Sequence, residues 1–590
     1  MQRTFVEPGR DRNGLWLGAV ALAVLTLLFL GQYWNHFLAL RTSFGSSFIA
    51  QLMAEGRTPY KDFFLMVPPL QFLKTQLIAS VFGHELIIPF IVAVLERVIL
   101  GLVVYFWLSA YFRPADAFLS SLTALAVSFG DGADMMTSYN HAPTILWIVL
   151  AGWFADLGLR STRWAFLSGV AAGICLGMKQ TLGLGATAMV PILAAVILWR
   201  RGESKRFRTF LAAFAAGWIL PVAGLGYWLW SHDILSAFLE MNYGSGISGK
   251  GSPAQILLRP VTLTLDRLAL AVSAALGFVL VGLYWFAARR RDSGSGWGLP
   301  LLVTLATVSI SLGIVTGGLG IDRPGWGRDI LVKGVVYGVL FGTIGQNLYY
   351  FVVAARRRLT AYEETSWIQA GMSFGVAFTL CLSWPAFEPM VFPGLAVLLA
   401  PLFSKVRLAT VAACCFLLYS MMVIKLETPF TWDGWSDAPV RGELVASEHP
   451  LLKGFRFPKE TADFATHVTD TIRAHSSKED PVFIYPGLVA FYLLADRRPP
   501  TFAYDHTMDI GPDWLCRQDA ARLLAAPPAV IVEYTPPKET LADKEAVWRS
   551  GKPSGQRDLV AAIRKLTPEY PFHEALTTRG GGKLDIWAKR

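Results

Sequence analysis

Long apolar runs separated by short polar breaks dominate the first 425 residues. They lie at roughly 15–38, 86–112, 115–130, 141–159, 164–182, 184–199, 208–230, 261–287, 299–320, 331–354, 367–386, 390–404 and 406–425. Most would cross about 30 Å of hydrocarbon as helices. A further stretch, 66–83, is apolar but opens on Pro68-Pro69 and carries Gln71, Lys74, Thr75 and Gln76. From Leu70 to Gly83 it would be about 21 Å long as a helix. Just upstream, Phe44, Phe48 and Leu52 recur every four residues, which predicts a short amphipathic helix ending at Gly56. Beyond 425 the apolar runs cease and short alternations begin. They predict helices near 461–474, 488–495, 513–525 and 557–566, and strands near 481–485, 501–504 and 529–534. Two last strands flank Arg579-Gly580-Gly581-Gly582, a hairpin turn.

Charge fixes the expected sidedness. The chain is only 16% charged, against about a quarter in a soluble globular protein. Its mean hydropathy is +0.43. The net charge of +10 does not point to nucleic acid, because the basic residues sit in short clusters between apolar runs. Such clusters mark cytoplasmic loops. Arg200, Arg201, Lys205, Arg206 and Arg208 form one, Arg289 to Arg291 another, and Arg356 to Arg358 a third. If 66–83 spanned, several of them would fall outside; if it lies in the interface or re-enters, all fall inside. The expected fold is therefore a polytopic α-helical membrane protein of about 13 transmembrane helices. Its N-terminus is cytoplasmic, its loop 39–85 is an outer loop with interfacial helices, and residues 426–590 form an extracytoplasmic α/β domain. The run from Leu15 is too long for a signal-peptide core and reads as a retained helix. Of the five cysteines, Cys175, Cys381, Cys414 and Cys415 lie in apolar runs. Only Cys516 lies in the soluble part, where no disulfide partner exists for it.

Polar groups among apolar runs mark candidate chemistry. In residues 56–69, Asp62 stands between Tyr60 and the proline pair, near Glu55, Arg57 and Lys61. It reads as a base at the membrane surface, with Phe63-Phe64 as an aromatic anchor, or as the salt bridge of a shaped loop. Asp131 and Asp134, three apart and followed by Tyr139, Asn140 and His141, make a donor set for a divalent metal or a substrate hydroxyl. They read equally well as capping aspartates of a polar turn. Lys179-Gln180, between Gly177 and Gly183, and Lys74 on the interfacial stretch are cations able to pair with a lipid phosphate or to snorkel. Glu96-Arg97 lies inside a span and reads as helix packing. The soluble part contains neither a GxGxxG after a strand nor a Walker motif, and reads as a lid or docking domain.

Taken in order, these features resemble the polyprenyl-phosphate-sugar-dependent glycosyltransferases of the GT-C fold. The protein O-mannosyltransferases and lipid A aminoarabinose transferases are similar. The resemblance rests on one span followed by a long loop with Gly56, Pro59, Tyr60, Asp62, Pro68 and Pro69. A short helix then ends in Phe82-Gly83, and an arginine-bearing span (Arg97) follows. Next come an acidic second loop (Asp131, Asp134) and a glycine-rich span (Gly169, Gly173, Gly177) closing on Lys179. That family usually carries an acidic residue soon after its first span, whereas residues 41–47 here contain none. The resemblance thus leaves the base to Asp62 or to Asp134 or Asp131. It implies donor-phosphate binding by Lys179, Lys74 and Arg57, and substrate contacts from Tyr60, Tyr139, Asn140 and Gln180. The implied partners are a polyprenyl-phosphate-linked sugar, a lipid or glycan acceptor and membrane lipids. No cofactor is implied beyond a divalent ion. A transporter or flippase would show internal repeats and broken mid-membrane helices, and no convincing repeat is found. A non-catalytic membrane scaffold is the remaining alternative.

Overall fold

The helices form where the apolar runs lie and stop where the backbone is given another partner. In this computed structural model, which describes residues 12–40, 44–130, 136–137, 142–244, 344–381, 396, 407–432, 434–507, 511–537, 540–549 and 551–589, α1 spans Arg12–Gly31, α2 Gly45–Ala54 and α3 Leu70–Phe82. α4 (Ile87–Ser109), α5 (Pro114–Phe129), α6 (Ala142–Gly158), α7 (Thr162–Met178), α8 (Gln180–Arg201) and α9 (Ser204–Ser231) follow. A short α10 (Leu235–Tyr243), absent from the expectation, comes next, and later α11 (Ala361–Cys381) and α12 (Arg407–Glu427). Proline at the first position starts α5, and Gly202, in the left-handed region at φ +76, ends α8.

Among the described residues five helices are long and apolar enough to cross a membrane: α1, α4, α8, α9 and the stretch Thr410–Glu427 of α12. The chain is a multi-pass helical membrane protein. The spans expected at 261–287, 299–320 and most of 390–404 lie outside the described residues.

Two polar clusters identify the ends of the bundle. At one end the Asp156 carboxylate of α6 accepts hydrogen bonds from Trp107 Nε1 of α4 (3.0 Å), from the Tyr111 hydroxyl (2.9 Å) and from Thr365 Oγ1 of α11 (2.9 Å). Arg201 of α8 pairs with Glu364 of α11 beside it. At the other end sit the chain after α12 and its sheets. Asn35 Nδ2 donates to the Gly454 carbonyl (2.9 Å), and Arg456 N donates to the Asn35 carbonyl (3.1 Å). Leu86 N donates to the Leu451 carbonyl (3.0 Å). Residues 35 and 86 therefore share one end of the bundle, and α3, 13 residues long, begins and ends on that side.

The C-terminal part carries β1 (Thr431–Trp432) paired with β2 (Trp435–Ser436), and β3 (Leu444–Ala446) paired with β4 (Arg456–Pro458). Its main sheet holds β5 (Val482–Tyr485), β6 (Val530–Thr535), β7 (Phe572–Thr577) and β8 (Lys583–Ala588) in the order β5-β6-β8-β7. Only the β5–β6 pairing is parallel; β7 and β8 form the hairpin around 579–582. Helices α13 (Lys459–Ala474), α14 (Ala490–Ala495), α15 (Asp513–Ala525), α16 (Leu541–Arg549) and α17 (Gln556–Leu566) complete it. The strand expected at 501–504 does not form. The Asp519 carboxylate takes the amides of Phe502 (2.8 Å) and Ala503 (3.0 Å), and the Phe502 carbonyl accepts from Phe64 N (2.8 Å). Those groups are not free for a ladder.

Candidate functional site

The loop between α1 and α4 supplies most of the described candidate residues, and the C-terminal part shapes it. Phe48 on α2 stacks on Tyr492 (centroids 5.4 Å apart) and meets the edge of Tyr504 (5.7 Å). Glu55, at the end of α2, pairs with Arg498. Gly56 then turns the chain at φ +85. In the next turn Asp62 Oδ2 accepts from Thr58 N (2.6 Å), and Asp62 N donates back to the Thr58 carbonyl (2.9 Å). Asp62, Arg57 and Lys61 are all exposed. Tyr60 holds a left-handed backbone, φ +67, which non-glycine residues seldom adopt. Its amide donates to the Phe63 carbonyl (2.9 Å) and its hydroxyl to the Val67 carbonyl (2.7 Å). Burial pushes the Tyr60 hydroxyl well above the usual phenol range, so it stays a donor. Phe63 and Phe64 do not anchor the loop in lipid as expected. Both are buried, and Phe64 meets Trp514 edge-on at 6.3 Å. The adjoining C-terminal part covers Phe64.

The second group sits where α7 gives way to α8. Lys179 is the single extended residue between them (φ −149, ψ 110), and it is buried. Gln180 Nε2 donates to the Met66 carbonyl (3.1 Å) and to Asn242 Oδ1 of α10 (3.4 Å), while Gln180 Oε1 is buried without a hydrogen-bond partner. Asn242 Nδ2 donates to the Phe238 carbonyl (3.1 Å), and the Tyr60 ring meets that Phe238 edge-on at 5.4 Å. Tyr60 and Gln180, far apart in sequence, are thus brought together on α10. Sequence reading missed Asn242 because α10 was not expected.

The third group lines a cleft between α3 and α4. Lys74 Nζ lies 2.5 Å from Glu96 Oε1. Ser46, Gln71, Thr75 and Thr137 add polar walls to a small, partly open cleft. Arg97, next in sequence, points elsewhere and is fully buried. It donates to the carbonyls of Ala93 (3.0 Å) and Met136 (2.9 Å), and its guanidinium stands 4.5 Å from the Phe129 ring. Asp131, Asp134, Tyr139 and Asn140 lie outside the described residues, as does any metal site they would build. Among the described residues no three His, Cys, Asp or Glu side chains are grouped to hold a metal ion.

No family model and no curated protein matches the chain. Solved structures similar to it include ArnT from Cupriavidus metallidurans in the apo state, 14% identical over 98% of each chain with a TM-score of 0.45. ArnT bound to undecaprenyl phosphate is 12% identical over 98% of each chain, with a TM-score of 0.45. The Archaeoglobus fulgidus oligosaccharyltransferase in complex with Zn and sulfate is 13% identical, over 96% of this chain and 72% of that one, with a TM-score of 0.45.

Proposed function

We propose that this chain is a membrane glycosyltransferase that moves a sugar from a polyprenyl-phosphate donor to an acceptor hydroxyl of a lipid or glycan. The reaction takes place at the end of the bundle that faces the C-terminal sheets. In this reading residues 1–425 form the membrane module, 426–590 form an extracytoplasmic domain, and the membrane is the cell's inner one. The observation that carries it is the convergence of the first loop on the α7–α8 break. The Met66 carbonyl, Gln180, Asn242 and Tyr60 meet beside the buried Lys179, and Gln180 keeps an unpartnered carbonyl oxygen.

The chemistry needs little more. A lipid phosphate leaves as a stabilised anion, and a positioned cation balances the charge that develops on it. Lys179 supplies that cation from within, and Arg57 from the loop above. The acceptor hydroxyl needs one base, which a carboxylate can be. Asp62 is that base. Asp134, with Asp131, holds the acceptor or a divalent ion, and Tyr139 and Asn140, close by in sequence, contact the sugar. Lys74, already paired with Glu96, is left out of the donor site.

The test is Asp62→Asn, which keeps an acceptor for the Thr58 amide and removes the basicity. It should fold, bind donor lipid normally and lose roughly 10²–10⁴-fold in turnover, measured with purified enzyme and a defined lipid-linked sugar. If turnover survives in Asp62→Asn and collapses in Asp134→Asn, the base is Asp134. If both remain active, the mechanism is wrong.

A further inference from the structure

The cleft between α3 and α4 lies outside that mechanism, and its chemistry is of another kind. Its floor is the Lys74–Glu96 pair, whose side chains keep 25% and 15% of their surface open. An ion pair partly open among apolar surroundings is costly unless it meets polar groups. Gln71 in the cleft wall is 5% exposed, and its Oε1 is buried with no hydrogen-bond partner. Such an acceptor asks for a donor.

The surroundings are exposed and apolar. Leu77 and Val81 on α3 are 65% and 64% exposed, and Ile91, Leu95 and Ile99 form an exposed apolar stripe down α4. α3 has both ends at the sheet-bearing end of the bundle: Leu70 packs on Gly177 near the end of α7, and Leu86 bonds to Leu451. Glu96 lies nine residues into α4, and the cleft above the pair opens beside Ser46, Pro89 and Pro143, near the starts of α2, α4 and α6.

Charge narrows the ligand. A simple anion would meet Lys74 already neutralised by Glu96, and a simple cation would meet the converse. A group carrying a phosphate and, a few bonds away, an ammonium with N–H donors complements both charges and also supplies the donor that Gln71 lacks. We propose that the α3–α4 cleft binds the headgroup of an amine-bearing zwitterionic phospholipid, its ammonium on Glu96 and Gln71 and its phosphate on Lys74. This site stands independently of the transferase reading.

The test uses the full chain in nanodiscs, with native mass spectrometry to count retained lipid. Three probes are compared: phosphatidylethanolamine, phosphatidylcholine (no N–H on its ammonium) and phosphatidylglycerol (anionic, no amine). Wild type should retain phosphatidylethanolamine about ten-fold or more over the other two, the worth of one charge-assisted hydrogen bond. Glu96→Gln should abolish that preference, and Gln71→Leu should weaken it. The double exchange Lys74→Glu with Glu96→Lys keeps the ion pair, and so the fold, and should keep the preference because a zwitterion can bind reversed. Equal retention of phosphatidylglycerol would make the cleft an anion site and overturn the proposal. Equal retention of all three by wild type, or an undiminished preference in Glu96→Gln, would leave a purely structural ion pair.

Discussion

Two buried carboxylates each gather hydrogen-bond donors from distant segments. Asp156 collects three neutral donors from two other helices and the turn after α4. Asp437 accepts from Leu38 N (3.1 Å), Ala39 N (2.8 Å) and Trp435 Nε1 (2.7 Å). The buried Lys425 ammonium nearby lies over the rings of Tyr33 (5.2 Å) and Phe37 (4.9 Å). Removing a carboxylate of this kind strands each donor at about 1–3 kcal/mol. Asp156→Ala should therefore lower the thermal unfolding temperature in detergent markedly. Asp156→Asn, which keeps one acceptor oxygen, should fall between it and wild type, and an unchanged melt in Asp156→Ala would show that the donors find other partners. Neither aspartate announced itself in the sequence, because its partners lie as far away as residue 365 for Asp156 and residue 38 for Asp437. Asp62 and Lys179, by contrast, drew notice in the sequence through the prolines and glycines around them, and both are proposed site residues. Their chemical neighbours were not legible there: Asn242 reaches the site on a helix too short to give a clear periodic signal.

At the scale of elements, period and punctuation carried most of the information. The apolar runs of α4 to α9 appear within a few residues of their expected bounds. One boundary moved: the break between α7 and α8 falls at Lys179 itself and not at the following glycines. Glycines elsewhere on α7 and α9 set how those helices pack. A Cβ on Gly169 would run into the Phe214 carbonyl and the Trp218 amide of α9, and one on Gly217 would run into the Phe166 carbonyl of α7. The two backbones touch where side chains would otherwise hold them apart, the small-residue packing of membrane helices. Gly169→Leu should force α7 and α9 apart and displace Lys179 at the end of α7. Lower thermal stability together with weaker donor binding is the expected result; a variant normal in both would mean the helices can slide to make room. The misread segment, 501–504, shows the limit of pattern. Its alternation suits a strand, but a carboxylate 17 residues later takes the Phe502 amide first.

For the whole molecule, the arrangement of ends is the strongest statement. Asp156, Tyr111, Arg201 and Glu364 share one face of the bundle, while Asn35, Leu86 and the sheets share the other. Reporter fusions after Gly83 and after residue 430 should thus report the same compartment, and a fusion at Ser204 the opposite one. Opposite signals from the first two would make α3 a true crossing. Basic clusters in the sequence already suggested this division, since lysines and arginines obey a rule that reads loops one at a time. What no loop-by-loop rule could foresee is that the first loop is held by the far end of the chain, through hydrogen bonds spanning 419 residues for Asn35 and 399 for Leu38. On a ribosome adding about 5–20 residues each second, that partner arrives roughly 20–80 s after the loop has emerged. Until then the amides of Leu38 and Ala39 and the rings of Phe48 and Phe64 have nothing to close on. Biosynthesis therefore leaves the first loop as the last part of the molecule to take shape. A chain cut short before residue 437 would yield a full set of membrane helices with a loop still waiting for its template.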